Sequence, residues 1–166
     1  MTWGIPTSWF LSIHVLLSLV GIAAGFVVLA GLVTGRRRSG WTALFLVTTI
    51  LTSVTGFPLP PFGFDPPRAL GVLSLVLLGL AVLALYVFHL TGAWRWVYVG
   101  SAVAALYFNV FVGVVQAFQK LPILQALAPT QSDPPFVVTQ LTVLTIFIVL
   151  GAVAVFRFHP GAKTTT

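Results

Sequence analysis

Long apolar runs dominate the chain, and charged residues fall only between them. No Lys, Arg, Asp or Glu occurs in residues 1–35, 39–64, 69–94, 96–119 or 134–156. Each stretch holds a run close to the roughly 20 apolar residues that carry a helix across a bilayer. The runs are apolar on all sides, whereas barrel strands alternate apolar and polar positions over roughly 10 residues. Both architectures satisfy the backbone internally in lipid, and this pattern selects helices. Helices are predicted over about 9–33, 41–57, 69–90, 97–118 and 136–156. The second is the shortest and needs flanking residues or local thinning of the bilayer to cross it. The expected fold is therefore an all-α, polytopic helical membrane bundle of about five transmembrane helices, one domain over 1–166.

Composition sharpens this picture. Hydrophobic residues make up 58% of the chain and charged residues 6%, against about 25% charged in soluble domains. Too little polar surface is available to cover a water-soluble fold, so the lipid bilayer is the expected partner. The net charge of +6 does not indicate nucleic acid, because the basic residues sit at the ends of apolar runs. Arg36, Arg37, Arg38, Arg95, Arg157 and Lys163 fall on one side of a five-helix topology, and Arg68 and Lys120 on the other. Positive residues favour the cytoplasm, which predicts the N-terminus outside and the C-terminus inside. Trp3 and Trp9 then mark the outer interface, and Trp41, Trp94 and Trp96 the inner one. Met1-Thr2-Trp3 lacks the positive start of a signal peptide, so the first run is expected to be a retained helix.

The outer loops, 58–68 and 119–135, carry the more distinctive sequence. The first is stiffened by Pro58, Pro60, Pro61, Pro66 and Pro67. In the second, Leu121, Leu124, Leu127 and Ala128 recur at helical spacing after Lys120, predicting a short interfacial helix opened by Pro122. Asp65-Pro66-Pro67 and Asp133-Pro134-Pro135 precede the third and fifth apolar runs. Each Asp is expected to cap a helix start, its carboxylate accepting from the N–H of Arg68 or Phe136.

Few residues can carry chemistry. Asp65 and Asp133 are the only acidic residues, and both lie on the outer side. They read either as plain caps or as a pair able to hold a cation or pass protons. His14, Ser18, Gly21 and Gly25 form one helical stripe that should face protein, with Gly21 and Gly25 allowing close helix approach. Asn109, Gly113, Gln116 and Lys120 form a matching stripe on the fourth run. These side chains read either as interhelical glue or as an outer polar pocket lined by His14, Asn109 and Gln116 under the two outer loops. Thr48, Thr52 and Thr55 are expected to bond back to their own helix carbonyls.

The absence of cysteine excludes disulfides and thiolate chemistry within this chain. A haem held by two histidines is not expected, since His14 lies near the outer end and His89 at the inner end of an approximately 30 Å core. His159 follows Arg157 in a solvated tail. No phosphate-loop, dinucleotide or hydrolase motif is present, and no cofactor, metal or catalytic residue is assigned.

Thr55-Gly56-Phe57 before the proline-rich loop, Tyr107-Phe108-Asn109-Val110-Phe111 leading to Gln116-Ala117-Phe118, and Ala128-Pro129-Thr130 give the chain a family look. It resembles a group of small bacterial inner-membrane proteins of about five helices. The resemblance covers most of the chain and implies a bacterial inner (cytoplasmic) membrane location. It carries over no substrate and no catalytic residue. The leading expectation is a protein that binds a small ligand or lipid at its outer face, or an accessory subunit beside a larger membrane complex or in a homo-oligomer. His14, Asn109, Gln116, Asp65, Asp133 and Lys120 are its candidate ligand-binding residues. A transporter or channel subunit is the alternative. An integral membrane enzyme has least support, because acid–base groups are so few.

Overall fold

A computed structural model describes residues 1–59 and 66–160. Among these, the helices are α1 (Thr7–Val33), α2 (Ser39–Gly56), α3 (Pro66–Val82), α4 (Trp94–Lys120), α5 (Pro122–Leu127) and α6 (Pro134–Arg157). A wider π turn, Leu83–Val87, continues α3. The described residues form no sheet beyond one bridge between Thr2 and Ile5. Five helices are long and apolar enough to cross a membrane: α1, α2, α3 with its π turn, α4 and α6. The short α5 lies in the second predicted outer loop and has Pro122 in its first turn, as the sequence suggested. The spanning helices start two or three residues before the apolar runs do. Backbone hydrogen bonding continues past the point where the side chains stop being apolar, and proline in the first turn sacrifices no bonded N–H.

Contacts between helix ends show how the chain runs. His14, early in α1, meets Thr55, late in α2. Phe118, late in α4, meets Phe136, early in α6. Tyr98, early in α4, meets Phe158 just past α6. Successive spans therefore run in opposite directions. The start of α1, the end of α2, the start of α3 and the α4–α5–α6 connection share what we term the N-terminal end. The α1–α2 and α3–α4 connections and the end of α6 share the C-terminal end.

Small residues let the helices approach closely. Ala24, Ala81, Ala84, Ala105 and Ala154 are fully covered, as expected where packing and not a hydrophobic effect must join helices in lipid. Gly25 of the predicted α1 stripe faces the ring of Phe45 on α2 and Leu106 on α4, where a Cβ would collide with the Leu106 methyl and stand only 3.0 Å from the Phe45 ring. Helices α1 and α4 are the most enclosed, with 39% of their most apolar stretch buried, against 17% in α6. So α1 and α4 form the centre, and α6 leans on them from one side.

The third span ends differently from its apolar pattern. The π turn is followed by His89 and Leu90 at φ +50° and +60°, which the Leu90 N–H secures by donating to the Ala84 carbonyl at 2.9 Å. Leu90 is thereby tucked into the core. Phe88 and Trp94 stack face to face at 3.8 Å across the short connection. Trp94 is thus held in a stack, while Trp41 and Trp96 remain exposed.

Candidate functional site

A pocket opens at the N-terminal end between α4, α5 and α6. Its position follows from a small second core of Phe118, Ala128 and Phe136, against which Leu124 packs. Phe118 and Phe136 meet edge to face at 5.4 Å. Leu124 and Ala128 are the inward positions of the predicted spacing. Leu121, Ile123 and Leu127 project outward and are exposed. The extended backbone of Leu121 and Pro122 then turn α5 away from the axis of α4.

The far wall of the pocket is the turn from Ala128 to Ser132. Asp133 fixes it. Its Oδ2 accepts from the Thr130 N–H at 2.7 Å and the Thr130 hydroxyl at 2.8 Å. This differs from the expected forward cap on α6, which has no side-chain cap bond. Pro134 and Pro135 offer no N–H in the first turn, whereas Thr130 offers two donors at once. The Asp133 carbonyl still opens the helix by accepting from Val137. The resulting pocket has a volume of about 320 Å³. Phe118 and Phe136 contribute aromatic surface, and Gln119, Gln125, Thr130 and Gln131 contribute amides and a hydroxyl. No lining residue carries a charge, and the size sits at the low end of small-molecule sites, roughly 300–1,000 Å³.

The sequence-predicted residues are placed as follows. His14 is half-buried, with Nδ1 2.9 Å from the Thr55 hydroxyl. That hydroxyl donates to the Leu51 carbonyl at 2.7 Å, so its oxygen is left to accept and His14 Nδ1 carries the proton. Asn109 Nδ2 donates to the Thr49 hydroxyl at 3.4 Å, a long bond. Gly21 leaves room for it, since a Cβ there would stand 3.1 Å from Thr49 Oγ1. His14 and Asn109 therefore both grip α2, each through its own threonine. Gln116 and Lys120 are exposed; Lys120 follows the pocket residue Gln119 directly. Asp133 holds the pocket wall. Asp65 lies outside the described residues. Thr48, Thr52 and Thr55 bond back to the carbonyls of Leu44, Thr48 and Leu51, as expected.

Four residues escaped sequence reasoning. Gln119 lies off the predicted α4 stripe, and Gln125, Thr130 and Gln131 look like ordinary connecting residues. Only their convergence around two buried phenylalanines distinguishes them. Gln140 on α6 is also new. It is 8% exposed, its Nε2 donates to the Phe111 carbonyl at 3.2 Å, and no donor among the described residues reaches its Oε1. Among the described residues, no group of three His, Asp or Glu side chains gathers in one place.

No protein-family model, curated protein or solved structure matches the chain. Its class therefore rests on its own physics: an all-helical chain whose five apolar spans are compatible with an integral, multi-pass membrane protein.

Proposed function

We propose that the chain is a membrane-embedded binding protein that holds the polar head of a small ligand or lipid in the pocket at its N-terminal end. It would act alone or as an accessory subunit of a larger membrane complex. One observation carries this reading: three glutamines and a threonine converge above an aromatic floor at one end of an otherwise apolar bundle. Primary amides both donate and accept, so an uncharged lining of this kind suits a neutral, hydroxyl- or amide-bearing head. The exposed Leu121, Ile123 and Leu127 beside the pocket favour a site at the lipid boundary, where an acyl tail can stay in hydrocarbon.

The proposed setting is a bacterial inner membrane with the pocket outside. Six of the eight Lys and Arg residues belong to the opposite end by sequence, which supports that orientation. In this reading Asp133 is a positioning residue acting through Thr130, and His14 and Asn109 serve helix packing.

Native mass spectrometry of the protein released gently from its own membrane tests the site. The wild type is expected to retain a small molecule or lipid. Removing one amide by Gln125→Leu should weaken retention by up to about tenfold, the worth of one ordinary hydrogen bond. His14→Leu should leave retention unchanged. Equal retention in wild type and a Gln119→Leu/Gln125→Leu variant would remove the pocket from the account.

A further inference from the structure

The C-terminal end of the bundle concentrates cationic side chains, with no Asp or Glu beside them in the sequence. The sequence contains two acidic residues in all. Asp133 opens α6 at the N-terminal end, where it is bonded to Thr130. Asp65 immediately precedes Pro66, the first residue of α3, which starts at that same end. The opposite end holds Arg36, Arg37, Arg38, Arg95 and Arg157 with no side-chain carboxylate in its sequence.

These arginines converge in space. The α1–α2 connection folds back tightly, with the Arg36 N–H donating to the Gly31 carbonyl at 2.7 Å. Gly35, at φ +72°, lies against the end of α6, where a Cβ would stand 3.1 Å from the Arg157 carbonyl oxygen. Arg95 reaches the same place from α4, donating to the Phe158 carbonyl at 2.9 Å. Arg36, Arg37, Arg38 and Arg157 are exposed. The first turn of α2, with no side-chain cap, lies beside them and adds backbone donors.

Exposed aromatic residues set the depth of this cluster. Trp96 adjoins Arg95, whose guanidinium lies 5.5 Å from its ring centroid. Phe156 adjoins Arg157 and is 78% exposed. Trp41 is exposed three residues after Arg38. Tryptophan is enriched at the membrane–water boundary, so Trp41 and Trp96 favour a headgroup-level position for the guanidinium groups beside them. Guanidinium forks match the oxygens of phosphate in pairs.

We propose that Arg37, Arg38 and Arg157 form a binding site for the phosphate of an anionic phospholipid, flanked by Arg36 and Arg95. The site is separate from the pocket at the N-terminal end and does not depend on it. Its ligand is the lipid and not free phosphate, because a lipid phosphate is held at the depth that Trp41 and Trp96 favour.

The test reconstitutes the full chain in nanodiscs of phosphatidylcholine with 0–30% phosphatidylglycerol, flags as ligand any lipid retained on release into the gas phase, and repeats the titration with inorganic phosphate added to pure phosphatidylcholine discs. The percentage range is an experimental setting of about the anionic content at which surface attraction of basic residues is felt. Preferential retention of phosphatidylglycerol is expected, weakened about fivefold for each arginine neutralised in Arg37→Gln and Arg37→Gln/Arg38→Gln. Arg37→Lys/Arg38→Lys, which keeps charge and loses the fork, should recover only part of the loss. Circular dichroism of each variant should match the wild type, since the substituted side chains are exposed. Equal retention of the two lipids by the wild type overturns the proposal and leaves the arginines to an acidic protein partner. Full recovery by the lysine pair also overturns it, reducing the site to diffuse surface charge. Phosphate that displaces the lipid preference at millimolar concentration would reassign the site to the free anion.

Discussion

At the scale of single residues, the polar side chains inside this bundle are mostly committed to helix contacts. His14 bonds to Thr55 and Asn109 to Thr49, so both tie their helices to α2. Interhelical bonds of this kind contribute on average about 0.6 kcal/mol in membranes, too little to specify a fold. Shape contributes more. Gly25 sits where Phe45 and Leu106 leave no room for a side chain. Gly25→Val should lower stability in detergent unfolding by about 1–3 kcal/mol, the usual cost of overpacking. Gly100→Ala, which faces open space, should cost nothing. Equal behaviour of the two variants would show that α1 does not pack against α2 and α4 as described. The sequence revealed the Gly21–Gly25 stripe because its spacing is local to one helix. It did not reveal which polar residue would meet which partner, since those pairings join residues 41 and 60 positions apart. Gln140 escaped for the same reason: its bond to Phe111 depends on the register of α6 against α4.

At the scale of elements, hydrophobic run length found all five spans and the spacing of Leu121 to Ala128 found α5. It missed the π turn at Leu83–Val87, because one extra residue in a helical turn leaves the apolar run uninterrupted. That turn ends in His89 and Leu90, both left-handed. An L-residue there costs roughly 1–2 kcal/mol. Leu90 is held by burial, whereas His89 is exposed. His89→Gly should therefore leave the fold intact and raise its unfolding free energy by about 1 kcal/mol. Destabilisation by this change, measured in the same micelles, would mean that the imidazole makes an interaction that outweighs the strain. The Asp-Pro-Pro motif was also legible as a helix start but not in its bonding. Two prolines in the first turn left the Phe136 N–H as the one donor a cap could use there, and the Asp133 carboxylate turned to the two donors of Thr130 instead. That reversal converts a capping residue into the support of the pocket wall.

At the scale of the molecule, the two ends differ in chemistry. The N-terminal end offers an uncharged amide-lined pocket braced by α5 and Asp133. The C-terminal end offers five arginines and exposed Trp41, Trp96 and Phe156. The sequence showed the charge asymmetry plainly. It could not show the pocket, because glutamines in a connecting segment carry no periodic signal until α5 folds back over Phe118 and Phe136. Each proposed site depends on the two ends facing different aqueous phases. The chain has no cysteine, so a single introduced thiol reports its own location without background. Thr130→Cys places one at the pocket, and Arg37→Cys places one in the arginine cluster. With a membrane-impermeant maleimide added to intact cells, Thr130→Cys should label at once and Arg37→Cys only after the membrane is opened. Labelling of both from the same side would contradict a five-span bundle with its ends in opposite phases.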